Sequence, residues 1–364
     1  MNDIFIDVDY YQIYKHDQKI GGDVFLLSKN PGSHQIVGVK ANVLASLTAH
    51  MAHKLSFGGM DLNNSAKIIM NTLPVCKERK ISYSTFTIAD IRFPSMKDIQ
   101  VSLVEYDNPS ALRFHDSEEI VWDRENIDLK RPGAFKQEIV KRSSFPMGYG
   151  DRLIMFSDGV TQSGMGSALP LGWRLSGVRA FAKDQIAKDP DIASHDLAKA
   201  IVQHAYNLDG LSSKDDITCA VVYVRKPRRT LVVTGPPFSK ESDEILGEKI
   251  RSFQGKKIVS GGTTALIVSR LFHAPLKVDM THWSKDVPPM SSMEGVDLVT
   301  EGMLTLSKVA KVLEQRTPRD QLPDDAVKRF VRLLLDSDQV SFIVGTKINE
   351  AHQDPNIPAE IGIR

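Results

Sequence analysis

Leu153-Ile154-Met155-Phe156-Ser157-Asp158-Gly159-Val160-Thr161 reads as a buried apolar strand that ends abruptly in an acid followed by glycine. A carboxylate at a strand end, beside a glycine that lets backbone or solvent come close, is a common way to hold a hard metal ion. Two further segments share this form. Gly21-Gly22-Asp23 runs into Val24-Phe25-Leu26-Leu27, and Lys214-Asp215-Asp216-Ile217-Thr218 runs into Cys219-Ala220-Val221-Val222-Tyr223-Val224. These acidic strand ends, far apart in the chain, are expected to meet on one sheet edge. There Asp23, Asp158 and Asp215 would offer oxygen ligands to a divalent ion, with Asp216 as an outer ligand. The structural alternative is a turn role for each, because Asp-Gly is the commonest turn pair.

Composition narrows the class of protein. The chain has 364 residues, 41% of them hydrophobic and 25% charged, as in a soluble globular protein of two or three domains. A net charge of +1 gives no global field for nucleic acid or an anionic membrane. Cys76 and Cys219 are the only cysteines, in unrelated contexts, which argues against a disulfide framework or a thiolate zinc site. No apolar run reaches the length of a membrane span, and Met1-Asn2-Asp3-Ile4-Phe5 lacks the pattern of a signal peptide. A cytoplasmic location is the expectation.

Up to about residue 226 the chain alternates strands and helices. Strands are expected at 23–27, 81–91, 100–106, 111–115, 152–157 and 216–224, and amphipathic helices at 41–55 and 192–208. Hairpin-forming strands with inserted helices predict mainly antiparallel sheets covered by helices. Lys226-Pro227-Arg228-Arg229 reads as a solvated linker, and it separates domains at 1–228 and 229–364. Beyond it, strands at 230–234, 257–260, 296–299 and 341–345 alternate with helices at 240–254, at 265–271 and from Thr305. That alternation predicts a smaller α/β domain with a mostly parallel sheet.

The order of the acidic motifs is more specific than any one of them. Gly22-Asp23, then Ser157-Asp158-Gly159-Val160-Thr161, then Asp215-Asp216-Ile217-Thr218 resembles the SpoIIE-like branch of the PPM-type protein serine/threonine phosphatases. Ile81-Ser82-Tyr83-Ser84-Thr85-Phe86, Glu105-Tyr106-Asp107-Asn108-Pro109 and Phe145-Pro146-Met147-Gly148-Tyr149-Gly150-Asp151 support it, and the likeness spans roughly residues 4–225. The resemblance implies an α+β fold, a two-sheet αββα sandwich with two Mn2+ or Mg2+ ions at one end. Asp23, Asp158 and Asp215 would be the catalytic metal ligands, with Gly159 and Asp216 beside them. Metal-activated water would hydrolyse phosphoserine or phosphothreonine on a phosphoprotein, by implication a bacterial regulatory protein of the anti-anti-sigma type. The alternative is a catalytically weak or inactive regulator of the same fold, binding a phosphoprotein or a small ligand. A metal-dependent nuclease also uses carboxylates, but the near-neutral charge does not supply its basic groove.

One departure is plain. The family carries an Asp-Gly-x-Gly-x-Gly loop between its second strand and first long helix, and the loop's aspartate bridges the metals. Here the chain reads His34-Gln35-Ile36-Val37-Gly38-Val39-Lys40-Ala41-Asn42-Val43-Leu44. The strand Gln35-Ile36-Val37 is expected to run almost directly into a helix that resembles the family's from Gly38 onward. Three explanations stand open: loop residues left out of this sequence between Val37 and Gly38, a true deletion, or a displaced register. A true deletion is expected to distort the join between sheet and helix.

Other residues have weaker claims. His50 and His53, at i and i+3, have a metal-compatible spacing but no third ligand nearby. Trp173 follows the glycine-containing stretch Ser163-Gly164-Met165-Gly166-Ser167 and suits either a substrate flap or a core anchor. Asp107-Asn108-Pro109 is a turn signal whose acid could also be catalytic. In the second domain Gly261-Gly262-Thr263-Thr264 lies between a strand and a helix, where free amides favour an anion, with Gly235-Pro236-Pro237 expected at the same edge. A small anion or partner is therefore expected there; a tight turn with Thr as N-cap is the structural alternative.

Overall fold

The computed structural model describes residues 4–19, 21–30, 33–40, 42–74, 85–95, 98–129, 138–167, 169–318 and 321–347. The chain divides into two compact units, Met1–Lys226 and Pro227–Arg364. The expected strand residues 81–84 lie outside the described residues.

In the first unit the elements follow in this order: β1 (Phe5–Ile13), β2 (Asp23–Asn30), β3 (Ser33–Lys40), α1 (Asn42–Phe57), α2 (Leu62–Thr72), β4 (Thr85–Ser95), β5 (Asp98–Tyr106), β6 (Leu112–His115), β7 (Glu118–Glu119), β8 (Glu125–Leu129), β9 (Glu138–Met147), β10 (Asp151–Phe156), α3 (Asp158–Gln162), α4 (Arg174–Lys188), α5 (Ser194–Leu208) and β11 (Ile217–Arg225). They form two antiparallel sheets, ordered β1-β11-β10-β6-β7 and β2-β3-β4-β5-β9-β8. Strand alternation sends Val222, Val224, Leu153 and Met155 to one face, where they meet Ile36, Ala89, Ile91, Val101 and Leu103 of the facing sheet. The opposite faces carry helices. Ile154, Phe156, Cys219 and Val221 pack under α4 and α5, while Val37, Val39, Phe86 and Ile88 pack under α1 and α2. The result is the expected αββα sandwich. β11 is buried at all nine positions because it is covered on both faces, which explains its continuous apolar run.

The second unit contains β12 (Arg229–Thr234), α6 (Glu241–Ser252), β13 (Lys256–Ser260), α7 (Gly262–Phe272), β14 (Lys277–Val278), β15 (Ser291–Met293), β16 (Val296–Thr300), α8 (Met303–Glu314), α9 (Ala326–Leu335) and β17 (Gln339–Val344). The sheet order is β14-β15-β16-β13-β12-β17. Pairs β13–β16, β12–β13 and β12–β17 are parallel, and β14 and β15 add an antiparallel margin. Leu246 and Ile250 of α6 and Ala265 and Val268 of α7 cover one face. Val309 of α8 and Val327, Phe330 and Val331 of α9 cover the other. Arg229, read from sequence as linker, instead opens β12. No helix among the described residues is long and apolar enough to cross a membrane.

The β3–α1 join corrects the sequence reading. Gly38, Val39 and Lys40 continue the strand, in register with Phe25, Val24 and Asp23 of β2 and with Thr87, Phe86 and Thr85 of β4. The helix begins at Asn42, one residue from the start expected at 41, so Ala41 alone separates the two elements. The ladder is uninterrupted to its last residue, so the expected distortion is absent from it.

Candidate acidic site at the sandwich rim

The acids gather where β1, β2, β10 and β11 end together. Antiparallel pairing sets Phe156 opposite Cys219, which places Asp158 just past the end of β10 and Asp215-Asp216 just before β11. Ser157 locks this corner. Its N–H donates to the Thr218 carbonyl at 3.0 Å, and its hydroxyl accepts the Thr218 N–H at 3.1 Å and donates to the Asp216 carbonyl at 3.2 Å. The approach is so close that a Cβ on Gly159 would lie 2.0 Å from the Asp216 carbonyl oxygen. Only glycine fits there.

Asp216 is buried, and its carboxylate serves the backbone. Oδ1 accepts the Lys15 N–H at 2.8 Å; Oδ2 accepts the Asp23 N–H at 2.8 Å and also the Gly22 N–H. One side chain thus fastens the exit of β1 and the entry of β2 to the start of β11. Hydrogen bonds to a charged acceptor contribute about 1.5–3 kcal/mol each. Asp23, also buried, accepts the Thr218 hydroxyl at Oδ2 over 2.7 Å, which ties the second sheet to the first.

Asp158 opens α3 and accepts from Gln162 Nε2 at 3.1 Å. Asp215 is half-buried, and its Oδ1 accepts the Asp216 N–H at 2.9 Å. A further acid belongs here. Asp107 has φ 53° in the β5–β6 turn, and burial first, then the charge of Asp158, pushes its carboxyl up. The neighbouring Asn108 explains the turn, since it accepts the Thr85 hydroxyl at 2.9 Å and donates to the Thr87 hydroxyl at 3.1 Å. The sequence signal for Asp107 was present, but it was that of a turn.

A small cleft lined by both sheets opens at this rim. Asp23, Thr87, Asn108 and Thr218 supply polar groups, while Phe25 and Met155 are among its apolar lining. At Gly38 an added Cβ would have nothing nearer than 4.0 Å, so the wall of β3 stands back from its neighbours.

These residues do not fit a two-ion centre. Such a centre needs several oxygen ligands per ion and a carboxylate shared between the ions. Residues 33–57 contain no Asp or Glu, so the β3–α1 join contributes no bridging acid. The carboxylate of Asp216 is already committed to three backbone donors. Among the described residues no three His, Cys, Asp or Glu side chains are grouped to hold a metal ion.

The remaining candidates lie elsewhere. His50 Nδ1 lies 2.7 Å from the Ser46 carbonyl, and His53 Nδ1 lies 3.3 Å from Gln35 Oε1. Trp173 packs against Phe181 and His204, with ring centroids 5.5 and 4.7 Å away, as a core anchor does. Burial pushes the Cys219 thiol up, so it stays an inert core residue.

Among curated proteins nothing matches the chain. Solved structures similar to the chain include these three. The phosphatase domain with a regulatory fragment of SpoIIE from Bacillus subtilis shares 15% identity over 61% of this chain and 63% of its own, with a TM-score of 0.48. RsbX in complex with magnesium shares 16% over 62% and 100%, with a TM-score of 0.40. The RsbU and RsbW domains of a Mycobacterium tuberculosis protein share 14% over 68% of each chain, with a TM-score of 0.44. The family model for stage II sporulation protein E matches residues 37–225, which includes Asp158 and Asp215 but begins after Asp23. With that match covering more than half of its length, the chain belongs to the SpoIIE family, proteins of the PPM-type phosphatase class.

Proposed function

We propose that the first unit is a catalytically weak or inactive regulator that keeps the phosphatase fold and engages a regulatory protein at the acidic rim. One observation carries this reading: β3 pairs in register to Lys40 and meets α1 across Ala41 alone, with no acid in residues 33–57. The carboxylate that would couple two ions has no place in the chain there. Without cations, Asp23, Asp107, Asp158 and Asp215 make the rim anionic, which disfavours a phosphoryl group and favours a partner that presents cationic side chains. The cavity between the sheets gives such a partner an apolar foothold with few polar groups.

A second reading, hydrolysis of phosphoserine or phosphothreonine with Mn2+ or Mg2+, is favoured by the placement of Asp23, Asp158 and Asp215 at one rim and by the family. Rates with p-nitrophenyl phosphate and a phosphothreonine peptide separate the two. The regulator reading expects wild type and Asp158→Asn to show the same background rate with either metal. Manganese-dependent turnover that disappears in Asp158→Asn would overturn it and establish the hydrolase.

A further inference from the structure

The second unit has an independent site at the carboxyl edge of its parallel sheet. Adjacent strands β13 and β16 pair in parallel up to Ser260 and Thr300. Their chains then leave to opposite faces, with α7 packing beside α6 and α8 beside α9. Divergence of neighbouring connections opens a crevice at the strand ends, the usual ligand position of an open α/β sheet. Two helix N-termini meet in it. The turns are in contact, for a Cβ on Gly302 would lie 3.0 Å from the Gly261 Cα.

The two turns share one pattern. Gly261 caps α7 at φ 119° and Gly302 caps α8 at φ 136°, and neither N-cap glycine offers a side-chain acceptor to its helix. Three residues on stand Thr264 and Thr305, both inside their helices, so Thr264 is not the N-cap that the tight-turn alternative would make it. Thr264 is 1% exposed and Thr305 0%, and the hydroxyl of each lacks a hydrogen-bond partner among the described residues. Helical side chains tilt toward the N-terminus. Accordingly, Thr264 Oγ1 lies 3.4 Å from where a Gly261 Cβ would stand, over the end of α7. Leaving a buried hydroxyl unpaired is costly, and that of Thr264, set over the end of α7, marks a place built for an acceptor.

The acceptor's charge follows from its surroundings. The first amides of α7 and the helix dipole favour an anion. Gly262 is exposed and has open space around its Cβ position, so an anion can reach them. At α8, Glu301 already accepts the Leu304 N–H at 3.3 Å and directs a ligand toward α7. No Lys or Arg stands in 258–266 or 298–305 to neutralise a polyanion. We propose that this crevice binds the phosphoryl group of a small phosphate monoester, held by the amides of Gly262, Thr263 and Thr264 and by the hydroxyl of Thr264.

The test is a titration of the full chain with inorganic phosphate at constant ionic strength, read from backbone amide NMR shifts. The proposal expects saturable shifts centred on residues 261–264. Thr264→Val removes one donor and weakens binding about tenfold. Gly262→Asp, on an exposed position, supplies a competing carboxylate and abolishes the shifts; its retained amide spectrum shows that the unit is folded. Linear shifts, or saturable shifts that Gly262→Asp leaves unchanged, would overturn the proposal. Acetate in place of phosphate should shift the same amides far more weakly; equal binding would overturn the phosphoryl assignment.

Discussion

The acidic rim of the sandwich and the carboxyl edge of the parallel sheet invert what their sequences advertise. The rim is rich in carboxylates, yet its most buried acid is absorbed by structure: Asp216 takes three backbone N–H groups, and Ser157 both gives and accepts. The edge of the second sheet is made of glycine and threonine, yet two buried hydroxyls there have no partner among the described residues. Formal charge marks where an ion could be held. Hydrogen-bond accounting shows which groups are still open to one.

The sharpest way to break this contrast is to remove the acid at its centre. Asp216→Ala leaves three backbone donors without their acceptor and should cost about 3–5 kcal/mol, read as a fall in the urea midpoint of the first unit. Asp158→Asn should stay within about 1 kcal/mol, because its side chain is half-exposed and asparagine keeps its shape and an oxygen that can accept from Gln162 Nε2. Equal losses for the two would mean that Asp216 is no special brace. Gly159→Ala comes next. Its methyl would be driven into the Asp216 carbonyl, and about 2–3 kcal/mol is expected from the backbone shift that must follow.

Much of the sandwich was legible because burial on both faces writes a continuous apolar run, as in β11 and β10. β1 was not, since its acids Asp7 and Asp9 interrupt a strand that is only half-buried. α4 escaped because it buries only Val178, Ala182 and Ile186, a thin stripe within a polar helix. At the site, Asp23, Asp158 and Asp215 could be read from strand ends. The bracing role of Asp216 could not, because its three donors, Lys15, Gly22 and Asp23, lie about two hundred residues away. The strand was read as ending at Val37, three residues early, because glycine is a poor strand former, whereas sheet pairing on both sides holds Gly38, Val39 and Lys40 extended.

At the other pole of the contrast the expected effect is smaller and of opposite sign. In phosphate-free buffer, Thr305→Val replaces an unpaired buried hydroxyl by a methyl of similar size and should stabilise the second unit by about 1 kcal/mol. A loss instead of a gain would show that Thr305 has an acceptor after all.

The smallest effect tests whether the rim acids dominate the response to acid. His204 packs against Phe181, with ring centroids 4.5 Å apart, and burial holds its pKa below the usual imidazole value. As pH falls through about 6.5, the unfolded chain takes up a proton that folded His204 still refuses, so the unfolded state binds more protons and stability declines. The decline ends once folded His204 is itself protonated. His34, whose pKa burial also lowers, adds a contribution of the same sign. His204→Phe should therefore flatten, without abolishing, the loss of stability just below pH 6.5, read from urea midpoints at stepped pH. Asp107 acts in the opposite sense and in a more acidic window. Its raised carboxyl pKa makes the folded state the stronger proton binder, so stability falls as pH rises from the ordinary carboxylate value toward that raised one. A loss below pH 6.5 that is indifferent to His204→Phe would mean that His204 does not carry it, and a gain of stability on acidification that Asp107→Asn removes would show the rim's opposite contribution to be the larger.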